Sequence, residues 1–230
     1  MKPLIFNITP DIGKVVPEYR AIILGVQFKD LKESAHTLGQ TAWSEAVSQA
    51  RRKYTTAADC DTVKQWRGIL KKFVKNRHRS GLEGVMRFAL SDSAPDSFSH
   101  PIVDLYNAAS VLFELPLGGE DLAHTLPPLT LCIASGGEVF DDSAKMLDDP
   151  EVISGEPVWM DDGGVTCRFW NSRQCRRTRI VATTRSLYFL IDVLGDEQEI
   201  QAKSCLAWLR EKMTEAAIDP EFHEQIIAPS

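Results

Sequence analysis

The fold class depends most on residues 101–119, PIVDLYNAASVLFELPLGG, where a helical pattern gives way to a strand pattern. The stretch begins with a proline, which suits the first position of a helix. Its apolar residues then recur three and four apart, as they do on one face of a helix: Ile102, Leu105, Ala109, Leu112 and Phe113. Pro116 and the Gly118–Gly119 pair predict the end of that helix.

The chain before residue 101 is mainly helical in pattern. Two short apolar runs, 4–8 and 21–28, predict strands, and helices are predicted over 31–54, over 61–75 and from residue 80 onward. The last of these begins with the Ser-x-x-Glu spacing of a capping box. A polar segment, 91–99, follows and is the candidate boundary of a helical N-terminal part, residues 1–95.

The chain after residue 119 is mainly β in pattern. Short β-rich runs are separated by the turn sequences SGG and DDGG, and a helix is predicted near the C-terminus: the runs are 129–134, 139–140, 158–160, 165–169 and 187–193, and the helix is 197–217. We therefore predict an α+β fold, in which the helical part packs on a mixed or antiparallel sheet formed by residues 96–230. The alternative is that both parts form one continuous fold.

The composition is that of an ordinary soluble globular protein, with 43% hydrophobic and 25% charged residues. The longest apolar runs are far shorter than the roughly 20 residues needed to span a bilayer. The first ten residues lack the apolar core of a signal peptide. The five cysteines are widely spaced, which suits free thiols in a reducing compartment. We expect a cytoplasmic protein without a membrane-spanning segment.

Two basic runs without any acid interrupt a chain whose net charge is −6. Residues 64–79 carry seven basic residues, and residues 168–185 carry six arginines. Concentrated positive charge can steer a polyanion to one face of a protein. The alternative is that each run is only a solvated helix or strand face. In the first run the expected phosphate contacts are Lys64, Arg67, Lys71, Lys72, Lys75, Arg77 and Arg79.

The second basic run contains RFWNSRQCRRT at 168–178. Guanidinium groups pair with phosphates, aromatic faces stack on unpaired bases, and amides bind polar base edges. The alternative is a β-edge with its arginines in solvent and Trp170 in the core. Cys175 stands beside Arg176 and Arg177, whose charges favour a thiolate. We interpret it as a bystander thiol, because no histidine lies near it in the sequence.

The sequence lacks the common nucleotide, metal and esterase motifs. It contains neither Gly-x-Gly-x-x-Gly nor a P-loop. It also contains no Cys-x-x-Cys, no His-x3-His and no Gly-x-Ser-x-Gly. We therefore predict no cofactor and no bound metal.

Several motifs occur together in a recognisable order: HPIVDLYN at 100–107, LPLGGEDL at 115–122, ASGGEVF at 134–140, CRFWN at 167–171 and RT at 177–178. The set resembles the B3/B4 domain, which is the editing module of the phenylalanyl-tRNA synthetase β subunit and also occurs as free-standing proteins. The resemblance is closest to the free-standing form and extends over nearly the whole chain. It implies a B3/B4-type fold and hydrolysis, in trans, of the ester that joins a wrong amino acid to the 3′ end of a tRNA.

The resemblance implies that the first basic run contacts the tRNA body. It also implies the residues of the site. The catalytic set is Asn107, Asn171 and Arg173, and the substrate-binding set is Asp104, Gly118, Gly119, Glu138, Arg168, Trp170, Arg177 and Thr178. In the synthetase domain a histidine occupies the position of Gly118, and the acidic residue that recognises a tyrosine hydroxyl is replaced here by Arg173 or Gln174. Both departures imply a rebuilt amino-acid pocket.

Two other functions remain open at this stage. One is a tRNA-binding module without catalysis, and the other is an α+β scaffold that binds a small molecule or a protein and has lost RNA. The missing catalytic triad does not exclude a deacylase, because an aminoacyl ester is already activated. Its hydrolysis requires a held substrate, a positioned water and donors to the developing oxyanion.

Overall fold

The structure is a computed structural model that describes residues 5–75, 78–98, 100–141 and 151–229. Arg77, one of the expected phosphate contacts, lies outside the described residues. The helices are α1 (Pro10–Val15), α2 (Ala35–Lys53), α3 (Asp61–Leu70), α4 (Gly81–Leu90), α5 (Pro101–Leu112) and α6 (Gly195–Ala216). None of these helices is long and apolar enough to cross a membrane.

The strands form three sheets in the described residues. They are β1 (Phe6–Ile8), β2 (Tyr19–Gln27), β3 (Asp30–Leu31), β4 (Leu117–Asp121), β5 (Leu129–Ile133), β6 (Pro157–Asp161), β7 (Gly164–Arg168), β8 (Arg173–Gln174), β9 (Ser186–Leu194), β10 (Ala217–Ile218) and β11 (Glu221–Ile227). The larger sheets have the orders β1-β5-β6-β7-β8 and β11-β2-β9-β4, and β10 pairs with β3. The β1–β5 pairing is parallel and the other strand pairings are antiparallel. The predicted α+β class with a mixed sheet is confirmed.

The central strands β2 and β9 are apolar along almost their whole length because both faces of their sheet are covered. Side chains alternate between the two faces of a strand. On one face, Ile22 and Leu24 pack with helices α2, α4, α5 and α6. On the other face, Ile23 and Leu190 pack with α3 and the five-stranded sheet. The four-stranded sheet is therefore the middle layer of the molecule.

The segments 1–95 and 96–230 both contribute strands to the two large sheets. β2 lies between β9 and β11, and β1 pairs with β5, so each large sheet contains strands from both segments. Helix α2 packs on α5, and the indole Nε1 of Trp43 donates to the carbonyl of Pro95 at 2.7 Å. The polar segment 91–99 is thus a connection within one continuous fold.

Helix α4 begins as its sequence predicts. The Ser80 hydroxyl accepts a hydrogen bond from the Glu83 amide at 3.2 Å, which is one half of the capping box. The Glu83 carboxylate accepts two hydrogen bonds from Arg67, at 2.8 and 2.7 Å. This bidentate pair fastens α3 to α4.

Strands β4 and β11, like the two-residue strands β3, β8 and β10, have no counterpart in the sequence prediction. β4 has the sequence LGGED, and its Gly118–Gly119 pair was interpreted only as the end of the preceding helix. β11 alternates between exposed and half-buried residues at the edge of its sheet, so its apolar signal is weak. Conversely, the predicted strand at 139–140 forms only an isolated bridge between Phe140 and Val165. Tertiary pairing overrides weak strand propensity in both directions.

Candidate functional site

A cavity of about 630 Å³ is lined by residues of both large sheets and of helices α4 and α5. Helix α4 contributes Gly81, Gly84, Val85 and Phe88 to the lining, and strands β4 and β9 contribute as well. The segment that follows β7 supplies a third wall. The lining includes Gly81, Gly84 and Phe88 of α4, Tyr106 and Asn107 of α5, Leu117–Glu120 of β4, Trp159, Cys167, 169–174, and Tyr188, Leu190 and Asp192 of β9.

The three residues expected to be catalytic, Asn107, Asn171 and Arg173, all line this cavity. Of the expected substrate-binding residues, Gly118, Gly119 and Trp170 line it as well. Of the basic residues expected to contact phosphate, Arg79 reaches it. The cavity therefore brings together residues that lie more than sixty positions apart along the chain.

The side-chain amide of Asn171 is engaged at both ends within the protein. Its Oδ1 accepts from the backbone N–H of Gly81 at 2.9 Å, and its Nδ2 donates to Asp192 at 3.1 Å. Asp192 also accepts from the hydroxyl of Tyr19 at 2.5 Å. Asn171 thus holds the first turn of α4 against the middle of β9.

The backbone turns sharply at the residues before Asn171. Phe169 and Trp170 have φ angles of 49° and 69°, which non-glycine residues rarely adopt. The backbone N–H of Asn171 donates to the carbonyl of Phe169 at 2.9 Å and closes a three-residue turn. Strained backbone of this kind persists where the surrounding structure enforces it, and it is enriched at functional sites.

Trp170 is fully buried, although it contributes to the cavity lining. Its ring is the centre of an aromatic cluster and makes edge contacts at 4.8, 5.4 and 5.5 Å with Tyr19, Trp66 and Phe73. The face of an indole in such a cluster is not available to stack on a base. The alternative of Trp170 as a core residue is correct.

Arg168 is also fully buried and is not among the residues that line the cavity. Its guanidinium donates to both carboxylate oxygens of Glu156 at 2.8 and 2.7 Å, and to the carbonyl of Glu151 at 2.8 Å. A buried charge is tolerated when it is paired and hydrogen-bonded in this way. Arg168 therefore stabilises the loop beneath the site.

Asp104 and Glu138, both expected in the pocket, lie outside its lining. The buried Asp104 carboxylate accepts from the hydroxyl of Ser97 at 2.7 Å and from the amide of Phe98 at 2.5 Å. Glu138 accepts from the amide of Ser135 at 2.6 Å and so closes its own turn. Both acids accept hydrogen bonds from neighbouring groups of the protein, the backbone amides of Phe98 and Ser135 and the hydroxyl of Ser97.

Arg177 and Thr178 lie outside the lining as well. The guanidinium of Arg177 donates to Asp161 at 2.6 and 3.0 Å, at the turn between β6 and β7. Thr178 is buried, and its carbonyl accepts from the amide of Asp121 at 2.8 Å. In this structure both residues make contacts within the protein. 

Part of the first basic run is neutralised by acids. Lys64 pairs with Asp61 at 2.7 Å, and Arg67 forms the buried pair with Glu83. The Nε of Arg79 is 4.0 Å from Glu83. The side chains of Lys71, Lys72 and Lys75, at and beyond the end of α3, are exposed. The absence of acids within the run is thus compensated by acids outside it.

The B3/4 domain family model matches residues 65–222, which is more than half of the chain. The chain belongs to the B3/4 domain family. The matched segment contains all the cavity-lining residues named above, from Arg79 to Asp192. The expectation drawn from the motifs is confirmed at this level.

Among solved structures, this B3/4 chain is similar to the crystal structure of an N-terminal fragment of the phenylalanyl-tRNA synthetase β-subunit from Pyrococcus horikoshii. The two are 10% identical, with a TM-score of 0.46. The similarity covers 98% of this chain and 50% of the other, so this chain spans about half the length of that fragment. No curated protein matches the chain.

Two carboxyl groups that sequence reasoning missed line the B3/4 cavity, Glu120 and Asp192. Burial raises the pKa of each to about 7. A signal for Asp192 was present in the sequence, because it interrupts the apolar run of β9, and buried acids are rare without a specific role. Glu120 has no comparable signal, because it directly follows the Gly118–Gly119 pair, which is typical of a turn.

The cysteines and tyrosines at and near the site favour their neutral forms. Burial raises the pKa of the thiols of Cys167 and Cys175 and of the phenols of Tyr106 and Tyr188. Cys175 is therefore a protonated thiol at neutral pH, in agreement with its interpretation as a bystander. Within the described ranges, no cluster of three or more His, Cys, Asp or Glu residues is arranged to hold a metal ion.

Proposed function

We propose that this B3/4 protein is an aminoacyl-tRNA deacylase, which hydrolyses the ester of misacylated tRNA in trans. The observation that carries the proposal is the cavity of about 630 Å³ on which Asn107, Asn171 and Arg173 meet, in a chain of this family. A cavity of this size lies within the range of small-ligand sites and suits an aminoacyl group.

Asn107 is the best placed donor for the developing oxyanion. It is half-buried on the cavity wall, and its amide makes no hydrogen bond with the residues that the structure describes. Its Nδ2 group is therefore available to a ligand without a competing partner. In this mechanism a water held in the cavity attacks the carbonyl carbon, and Asn107 donates to the carbonyl oxygen as it becomes an oxyanion. The bond between the carbonyl carbon and the ribose oxygen then breaks, and the tRNA leaves with a free ribose hydroxyl.

Arg173 and Asn171 have supporting roles. Arg173 is half-buried at the cavity, and burial lowers the pKa of its guanidinium, which nevertheless remains charged at neutral pH. We assign it to a phosphate or the terminal adenosine of the tRNA. Asn171 positions α4 and Asp192 through the two hydrogen bonds described above, so it acts on the reaction through other residues.

Gly118 provides a test of the cavity itself. A Cβ atom built on Gly118 would meet no atom within 4 Å, so a side chain there would project into the open cavity. Gly68 is a matched control, because it is exposed on α3 and also has no neighbour within 4 Å of a Cβ position.

The experiment measures deacylation of a panel of misacylated tRNAs by the wild type, Gly118→Leu and Gly68→Leu. We expect the wild type to discharge at least one of these tRNAs faster than buffer. Gly118→Leu should lower kcat/KM by about 10²-fold, because the substrate is displaced, while Gly68→Leu should not change it. Binding of tRNA without discharge of any member would instead establish a non-catalytic binding module.

A further inference from the structure

Glu120 is a buried carboxylate on the cavity wall that forms no ion pair with the residues that the structure describes. It is 8% exposed and lies opposite Tyr188 in the pairing of β4 with β9. Its Oε2 has no hydrogen-bond partner in the part of the chain that the structure describes. Buried charges in proteins are ordinarily paired, so an unpaired one needs an explanation.

Open space lies directly beside this carboxylate. Gly118 and Glu120 are two residues apart on one strand, so they point to the same side of the sheet. No atom lies within 4 Å of the Cβ position of Gly118. The space over Gly118, on the same side of β4 as Glu120, can therefore hold part of a ligand.

Much of the wall around this space is aromatic or apolar. It includes Tyr106, Trp159, Tyr188 and Leu190. Aromatic faces attract cations, and an apolar wall strengthens the interaction of a cation with a carboxylate.

We propose that the side-chain end of the ligand is a cation, an ammonium or a guanidinium, and that Glu120 binds it. The inference rests on the proposed function in one respect, namely that the ligand is an aminoacyl group. It deepens that function by naming the substrate class: amino acids with a cationic side chain.

A cation fits this place better than a neutral donor does. A hydroxyl would satisfy the free oxygen but would leave the buried negative charge uncompensated. Burial raises the pKa of Glu120 to about 7, so both protonation states are populated at neutral pH. A cationic ligand selects the charged state, and the empty site avoids the full cost of a buried charge by protonation.

The test uses three amino-acid amides that differ only at the end of the side chain: L-lysinamide, 6-hydroxy-L-norleucinamide and L-norleucinamide. Their affinities are measured by isothermal titration calorimetry with the wild type, Glu120→Gln and a control, Glu45→Gln, whose carboxylate is exposed on α2. Glutamine keeps a hydrogen-bond acceptor of the same size and removes the charge.

We expect the wild type and Glu45→Gln to bind L-lysinamide at least tenfold more tightly than either neutral amide. Glu120→Gln should remove that preference, because the lost interaction is a charge-assisted hydrogen bond. Equal binding of L-lysinamide and 6-hydroxy-L-norleucinamide by the wild type would overturn the inference, and so would a failure of all three to bind. This comparison within the wild type decides the question even if Glu120→Gln folds poorly.

The failures of the two proposals are distinguishable. If L-lysinamide binds with the expected preference but no tRNA is discharged, the deacylase function is wrong and the cation site stands. If tRNAs carrying apolar amino acids are discharged and those carrying cationic amino acids are not, the deacylase function stands and the inference is wrong.

Discussion

Asn107 and Asn171 carry the same amide on the same cavity, but their surroundings give them different tasks. The Asn171 amide is bonded to Gly81 and to Asp192, whereas the amide of Asn107 makes no hydrogen bond with the described residues. Sequence reasoning placed both residues at the site and could not separate their roles. The separation depends on α4 and β9, which are remote from each other in the sequence.

Replacement of the two asparagines should therefore give different kinetic signatures. Asn107→Ala should lower kcat by about 10²-fold with little change in KM or in Tm, because it removes a donor used in the transition state. Asn171→Ala should lower Tm and raise KM as well, since it releases the start of α4. Deacylation kinetics and thermal unfolding measure these effects, with the exposed Asn7→Ala as the matched control. Equal effects of both cavity variants on Tm would contradict the assignment.

The two raised carboxyl pKa values predict how stability depends on pH. Glu120 and Asp192 have pKa values of about 7 in the folded protein, against 4.5 and 3.8 as ordinary values. At a pH between the ordinary and the raised pKa, these two carboxyl groups are protonated in the folded protein and ionised in the unfolded chain. The free energy of unfolding should therefore decrease as pH rises from about 4 to about 8, by roughly 1–3 kcal/mol for each group.

Chemical denaturation of the wild type and of Glu120→Gln at pH 5 and pH 8 tests this dependence. The variant lacks one of the two groups, so its free energy of unfolding should fall less over this interval. Other titrating groups contribute equally to both proteins and cancel in the comparison. An identical fall in the two proteins would show that Glu120 titrates normally.

Helix α3 illustrates how a charge pattern along the sequence differs from a charge pattern in space. Its Arg67 is paired with Glu83, which belongs to the next helix, so that guanidinium is not available to a phosphate. The lysines at and beyond its C-terminal end, Lys71, Lys72 and Lys75, remain exposed. We propose that these lysines contact the tRNA body.

The triple change of Lys71, Lys72 and Lys75 to Ala should weaken binding of all tRNAs to a similar extent. Each lost phosphate contact lowers the slope of log affinity against log salt by about one unit or less. The control is the triple change of Lys14, Lys203 and Lys212 to Ala, which removes the same charge from ion-paired positions elsewhere. Titrations at several salt concentrations measure the slope, and the same slope in both triple variants would refute the contact.

At the level of elements, the sequence predicts the helices and strands whose apolar residues recur regularly. It does not predict those that lack such a repeat. Helices α2 to α6 and strands β2, β5 and β9 bury apolar faces, so their repeats are visible in the sequence. Strand β4 consists of Leu-Gly-Gly-Glu-Asp and is held by its pairing with β9, which no local pattern reveals. The shared cavity of Asn107, Asn171 and Arg173 followed from the order of motifs. The ion-pair partners of Arg168 and Arg177 could not be predicted from the sequence, because Glu156 and Asp161 lie at the two ends of β6, away from the motif.

At the level of the whole molecule, each large sheet is built from distant parts of the chain. β2 is an interior strand between β9 and β11, and β1 is paired with β5. A fragment of residues 96–230 lacks both partners. We predict that this fragment alone lacks the dispersed amide NMR spectrum of a folded protein, and that addition of a fragment of residues 1–95 restores it. A dispersed spectrum of 96–230 alone would contradict this prediction.

The interior place of β2 also determines when the protein can complete its fold. During synthesis β2 leaves the ribosome early, but its neighbours β9 and β11 are made more than 150 residues later. Until then, an apolar strand has two unpaired edges, the arrangement that recruits other nascent chains or a chaperone. Non-local pairing of this kind also makes folding slow. The cavity, whose wall includes β9, therefore forms only after β9 has been synthesised.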